Sequence, residues 1–174
     1  DVMSEEAVAK FIELVYESHC EAAGDHVGRT LPGFFTDEPG IWYDRGGQSL
    51  PWTRDLQAHF RERYGYDLRP KLINLLRGDE ADRKTAFHFM QLVSDRFARN
   101  YAEQIGAWCG ERGLVFTGHY GENIRDGDHY AQLRPMQAPG FDLLGDINGV
   151  QHLFALPRKA ASAGALCCLQ ASSD

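Results

Sequence analysis

GFFTDEPG, residues 33–40, is the stretch that decides how this chain is read. Two phenylalanines run straight into Thr36-Asp37-Glu38, and Pro39 stops the segment. With the preceding Thr30-Leu31-Pro32, it reads as a short buried strand closed by an acidic turn. A second apolar segment, LVFTGHY at residues 114–120, ends in a histidine instead. Between the two lies the strongest helical signal in the chain. Ala86, Met90, Val93, Phe97, Tyr101, Ile105 and Trp108 recur at steps of three and four, a long apolar stripe with the character of core. Strand, helix and strand in that order predict a parallel pair joined by a crossover.

Working outward, residues 4–23 read as a helix. Ser4 is its N-cap, Glu5 and Glu6 suit its positive end, and Ala7, Phe11, Leu14 and Val15 share one face. Gly24 ends it. Thr53 is expected to cap a helix carrying Leu56, Phe60 and Tyr64, with Gly65 closing it. Asp67 is placed to cap the next, with Pro70 in its first turn. Beyond the second strand, APGFDLLGD (138–146) gives a third around Phe141 to Leu144, LPRKAASAGA (156–165) a small-residue helix, and LCCLQA (166–171) a fourth strand. Four strands do not close a (β/α)8 barrel, which needs about 250 residues. The alternatives are a small open α/β sheet or about four βα units of a parallel-stranded, TIM-type barrel. The last strand stops without a helix to cover it, which favours the second. The expectation is a single α/β region over 1–174, a fragment that pairs with the remainder of its own barrel or parent chain.

Bulk properties narrow the function. Of 174 residues, 43% are hydrophobic and 25% charged, so the composition is that of an ordinary globular domain. The net charge of −7 offers no basic stripe, which argues against nucleic acid as a partner. No apolar run approaches the roughly 20 residues of a membrane span, and the N-terminal residues lack the pattern of a signal peptide. Cys20, Cys109, Cys167 and Cys168 show neither C-x-x-C nor zinc spacing, so they read as buried reduced thiols and a cytoplasmic setting.

In parallel sheets of either kind, ligands bind beyond the C-terminal strand ends. There the first strand delivers Asp37 and Glu38, the second His119 followed by Glu122 and Asn123, the third Asp142, and the fourth Gln170. Strand residues alternate faces, so Asp37 and Glu38 are not expected to meet the same substrate atom. One is the reacting group and the other its support. The loop GIWYDRGGQSLPW (40–52) adds Trp42 and Trp52, aromatic surfaces suited to stacking on a sugar ring. Blander roles compete at each position: a capping turn at Asp37-Glu38, a core histidine at 119, a turn cap at Asp142. A metal-dependent hydrolase with His119, Glu122 and Asp142 as ligands is a further alternative.

Four segments together, GFFTDEP, LPWTRDLQAHFRERYGYDLRPKL, WCGERGLVFTGHYGEN and APGFDLLGD, resemble the barrel domain of family 106 glycoside hydrolases. This is the α-L-rhamnosidase type, with many bacterial relatives. The resemblance implies a (β/α)8 barrel, of which these strands would be roughly the fourth to the seventh, inverting glycoside hydrolysis, a carbohydrate substrate and calcium as a cofactor. It places Glu38 on the glutamate expected to act as general acid. It gives His119, Glu122 and Asp142 the task of holding sugar hydroxyls or a cation. One departure stands out: where the resembling enzymes carry a second glutamate on the last strand, this chain has Gln170 and Ala171. An amide side chain takes up no proton near neutrality. Glu122 is then the candidate base, with a catalytically inactive carbohydrate-binding relative as the alternative.

Overall fold

A computed structural model describes residues 1–41, 49–120, 129–143 and 168–171, the side chains of 129–130, 141–143 and 168–171 excepted. A helical rod opens the chain: α1 (Glu5–Phe11), a π-helical segment (Ile12–Glu17) and α2 (Ser18–Ala23). The Ser4 hydroxyl accepts the Ala7 amide at 3.3 Å, which is the expected cap. The expected apolar face is rotated. Val8, Ile12 and Tyr16 are buried, while Phe11 and Leu14 stand exposed. The segment carries two apolar stripes, and the wider π turn after Phe11 commits the neighbouring one to the core.

Strand β1 (Gly33–Asp37) follows, then α3 (Leu56–Tyr64) and α4 (Leu72–Arg77). Ahead of α4, a 3-10 turn (Arg69–Lys71) has Leu68 and not Asp67 in its capping position; Asp67, one residue earlier, accepts the Arg69 amide at 3.0 Å. The long helix is again a rod in three parts: α5 (Arg83–Phe97), a π-helical segment (Ala98–Glu103) and α6 (Gln104–Glu111). Phe89, Val93, Phe97, Tyr101 and Ile105 line its buried side, with Leu56, Phe60 and Phe116 in the same core. Strand β2 (Val115–His119), a short helix α7 (His129–Leu133) that sequence periodicity did not reveal, β3 (Ala138–Leu143) and β4 (Cys168–Ala171) complete the described elements. The small-residue helix expected at 156–165 lies outside the described residues.

The strands form one sheet in the order β1-β2-β3-β4, every neighbouring pair parallel. Consecutive order means that each crossover steps to the adjacent strand, without the reversal that marks a doubly wound sheet. Side-chain alternation then sorts the first two strands by face. Phe34, Thr36 and Phe116 turn toward the helices, where Phe34 stacks on Tyr16 with ring centres 4.3 Å apart. Phe35, Asp37 and Val115 lie on the opposite face and are exposed. The α/β class and the parallel sheet are as the sequence predicted.

Candidate functional site

At the C-terminal edge of β1 and β2, the register sets Phe35 beside Thr117, Thr36 beside Gly118 and Asp37 beside His119. Two devices hold this edge from the helix side. The Thr36 hydroxyl shares a 2.8 Å hydrogen bond with the Tyr101 phenol, which projects from the π-helical segment of the long helix. Burial pushes the Tyr101 phenol up from its ordinary value, against the opposing effect of the Thr36 bond. Next to them, Gly118 has a φ of 144°, and a Cβ there would lie 2.1 Å from the Thr36 carbonyl oxygen. Only glycine allows the two backbones to come this close.

On the open face, the His119 imidazole is 2% exposed. Its ring centre stands 5.9 Å from that of Phe35. Its Nε2 lies 3.0 Å from Asp37 Oδ1, but out of line, so neither ring nitrogen completes a hydrogen bond among the described residues. Asp37 itself is largely in solvent, with 73% of its side chain exposed.

Glu38 comes next, half-buried, and its backbone breaks the strand pattern. Its φ is 42°, the only positive value outside glycine among the described residues. Its amide donates to the His119 carbonyl at 3.1 Å, continuing the β1–β2 ladder by one bond through the turn. A side chain in this left-handed conformation costs about 1–2 kcal/mol, and such outliers concentrate at working sites. The alternation rule therefore stops at Asp37. The expectation that Asp37 and Glu38 must face opposite ways does not extend across this turn.

The other sequence-derived positions are distributed as follows. Asp142 and Gln170 are register partners on β3 and β4, which makes them backbone neighbours. Extending the pairing of Gly118 with Pro139 by one residue sets His119 level with Gly140. The Asp142–Gln170 pair then lies two residues further along the sheet, about 7 Å. Trp52 is 43% exposed between buried Pro51 and Thr53. Trp42, Glu122 and Asn123 fall outside the described residues. Of the cysteines, Cys109 is buried, and burial pushes its thiol up to about 11. Cys20 is half-buried rather than buried, because the rotated face of the first rod places it at the rim; both are free thiols. No group of three or more histidine, cysteine, aspartate or glutamate side chains suited to a cation occurs among the described residues.

Tyr101, Thr36 and Gly118 escaped the sequence reading as members of this site. Tyr101 sits in register with the apolar stripe and was counted as core. Its hydroxyl, at the level of a strand threonine, was the available signal.

A parallel sheet that presents an acidic turn at its C-terminal edge, with a buried histidine beside it, has its candidate site where parallel α/β sheets bind their ligands. The chain belongs to the family described as alpha-L-rhamnosidase, glycoside hydrolase family 106, whose model matches residues 1–136. It is similar in fold to the rhamnosidase from Novosphingobium sp. PP1Y, with a TM-score of 0.67 and 22% sequence identity. The match covers 85% of this chain and 14% of that one, so the chain spans about a seventh of the solved relative. Among curated proteins, none matches.

Proposed function

We propose that this domain contributes the acid side of a glycosidase active site, hydrolysing an α-L-rhamnosidic bond with Glu38 as general acid. The observation that carries the reading is the Glu38 turn. A glutamate is held at a φ of 42° on the C-terminal edge of a parallel sheet, its amide bonded to the neighbouring strand. Glycoside hydrolysis needs a carboxylic acid to protonate the leaving oxygen and a second carboxylate to activate water or to attack. Glu122, three residues after His119, is the second group in this reading. Asp37, Trp42, Trp52, Asn123, Asp142 and Gln170 serve the sugar directly, and His119 supports the same edge from its buried position. The consecutive parallel strand order, with helices packed on one face, supports an arc of a (β/α)8 barrel rather than an open doubly wound sheet. The rest of the barrel then comes from the parent chain.

The test is hydrolysis of an aryl α-L-rhamnoside by the full parent protein and by its Glu38→Gln and Glu122→Gln variants. Each substitution is expected to lower kcat by about 10²–10⁴-fold. Turnover that survives Glu38→Gln at the parental rate overturns the assignment. Gln170 supports one other reading, a carbohydrate-binding relative without turnover, since an amide occupies the strand position beside Asp142. That reading predicts binding of rhamnose by calorimetry and no hydrolysis by the parental sequence.

A further inference from the structure

The His119 ring is nearly closed off from solvent, yet among the described residues both its nitrogens lack a completed hydrogen bond. A buried polar ring left in this state costs free energy and calls for an explanation. Its surroundings supply one. The ring packs against Phe35 on one side, and Nε2 lies 3.0 Å from Asp37 Oδ1, close enough for a bond but not aligned for one. The carbonyl of the same residue takes the Glu38 amide. One residue thus touches both members of the acidic turn, the first through its side chain and the second through its backbone.

We propose that His119 is a positioning residue. It sets the Asp37 carboxylate and the left-handed Glu38 turn, and it meets the sugar only through them. With 2% of its surface exposed, the ring has no face to offer a substrate. Asp37, by contrast, is free to rotate, and a small rotation brings its oxygen into line with Nε2. The inference rests on the reading of Glu38 as the acid, but its geometric half can be tested without turnover.

The experiment compares the parental protein with His119→Leu, His119→Gln and Asp37→Asn. The first readout is hydrogen exchange at the Glu38 amide, with Phe97 in the long helix as an internal reference. His119→Leu is expected to raise exchange at Glu38 roughly tenfold, about one hydrogen bond's worth, and to leave Phe97 unchanged. His119→Gln, which restores a polar donor, returns most of the protection. The second readout is kinetics on an aryl α-L-rhamnoside. There His119→Leu lowers kcat about a hundredfold, as misplacement of a catalytic group does, with KM held within a factor of about two. Unchanged Glu38 exchange in His119→Leu overturns the proposal, and so does a raised KM with kcat intact, which marks a direct sugar contact. If His119→Leu does not fold, the exposed Asp37→Asn decides: added exchange at Glu38 supports the proposal and parental exchange ends it. If the parental protein hydrolyses no rhamnoside, the glycosidase reading has failed, and the exchange comparison still judges the positioning role.

Discussion

Glu38 carries a stability cost that should be recoverable by mutation. Glycine adopts a φ of 42° without the clash that a Cβ meets there. Glu38→Gly should therefore raise stability by about 1 kcal/mol, seen as a higher urea midpoint with unchanged slope, while any hydrolysis is lost. A drop in midpoint would show that the carboxylate, and not the backbone, stabilises the turn. Gly118 behaves in the opposite way. A methyl group there would sit 2.1 Å from the Thr36 oxygen. Gly118→Ala should force β1 and β2 apart and cost roughly 3 kcal/mol or more, measured by thermal unfolding. Neither conformation was visible in the amino-acid string. The sequence shows which residues sit at a strand end, whereas the sign of a dihedral angle depends on how the next strand is paired.

Between elements, much of the order was legible because periodicity and caps are local. The Ser4 and Gly65 signals mark real helix ends, whereas the capping positions expected at Thr53 and Asp67 fall to Asp55 and Leu68, neither with a side-chain cap. The face of the first rod was misread because two apolar stripes compete and a π turn, which leaves no mark in composition, chooses between them. Polar links between elements are likewise tertiary facts. Asp82 at the start of α5 is held by Lys71 at 2.8 Å and by the Asn74 amide at 2.5 Å, tying α5 to α4. The hydrogen bond from Lys71 comes first among the causes that hold its carboxyl below the usual value, followed by that from Asn74. A carboxyl depressed by folding contributes stability at every pH above its unfolded value, and that contribution fades as pH falls through the lower folded value. Asp82→Asn should therefore lower the urea midpoint near neutrality and leave it almost unchanged at the acid end, giving a flatter acid limb. Parallel curves for parent and variant would mean that Asp82 plays no part in the acid response.

For the molecule as a whole, the decisive feature is that rods and sheet share one core. Tyr16 of the first rod stacks on Phe34 of β1 and lies 5.7 Å, ring centre to centre, from Trp108 of the long helix. The same rod is latched at its start, where the Met3 carbonyl accepts from Asn100 at 2.5 Å and from Arg96 at 3.1 Å. Sequence reading found the strands and the long helix but not this joint, because residues far apart in the chain meet only once the crossover is made. The joint also bears on the site, since Thr36 is the next residue after Phe34 on the same face of β1 and Tyr101 lies about two turns before Trp108 on the long helix. Removing Tyr16 should then do more than loosen a terminal helix. Tyr16→Ala is expected to cost about 3–5 kcal/mol, as for a buried aromatic side chain. Unfolding should stay cooperative, with far-ultraviolet circular dichroism and tryptophan fluorescence giving one midpoint. If helix signal is instead lost well before fluorescence changes, the first rod is an independent unit, and the edge that holds Glu38 does not depend on it.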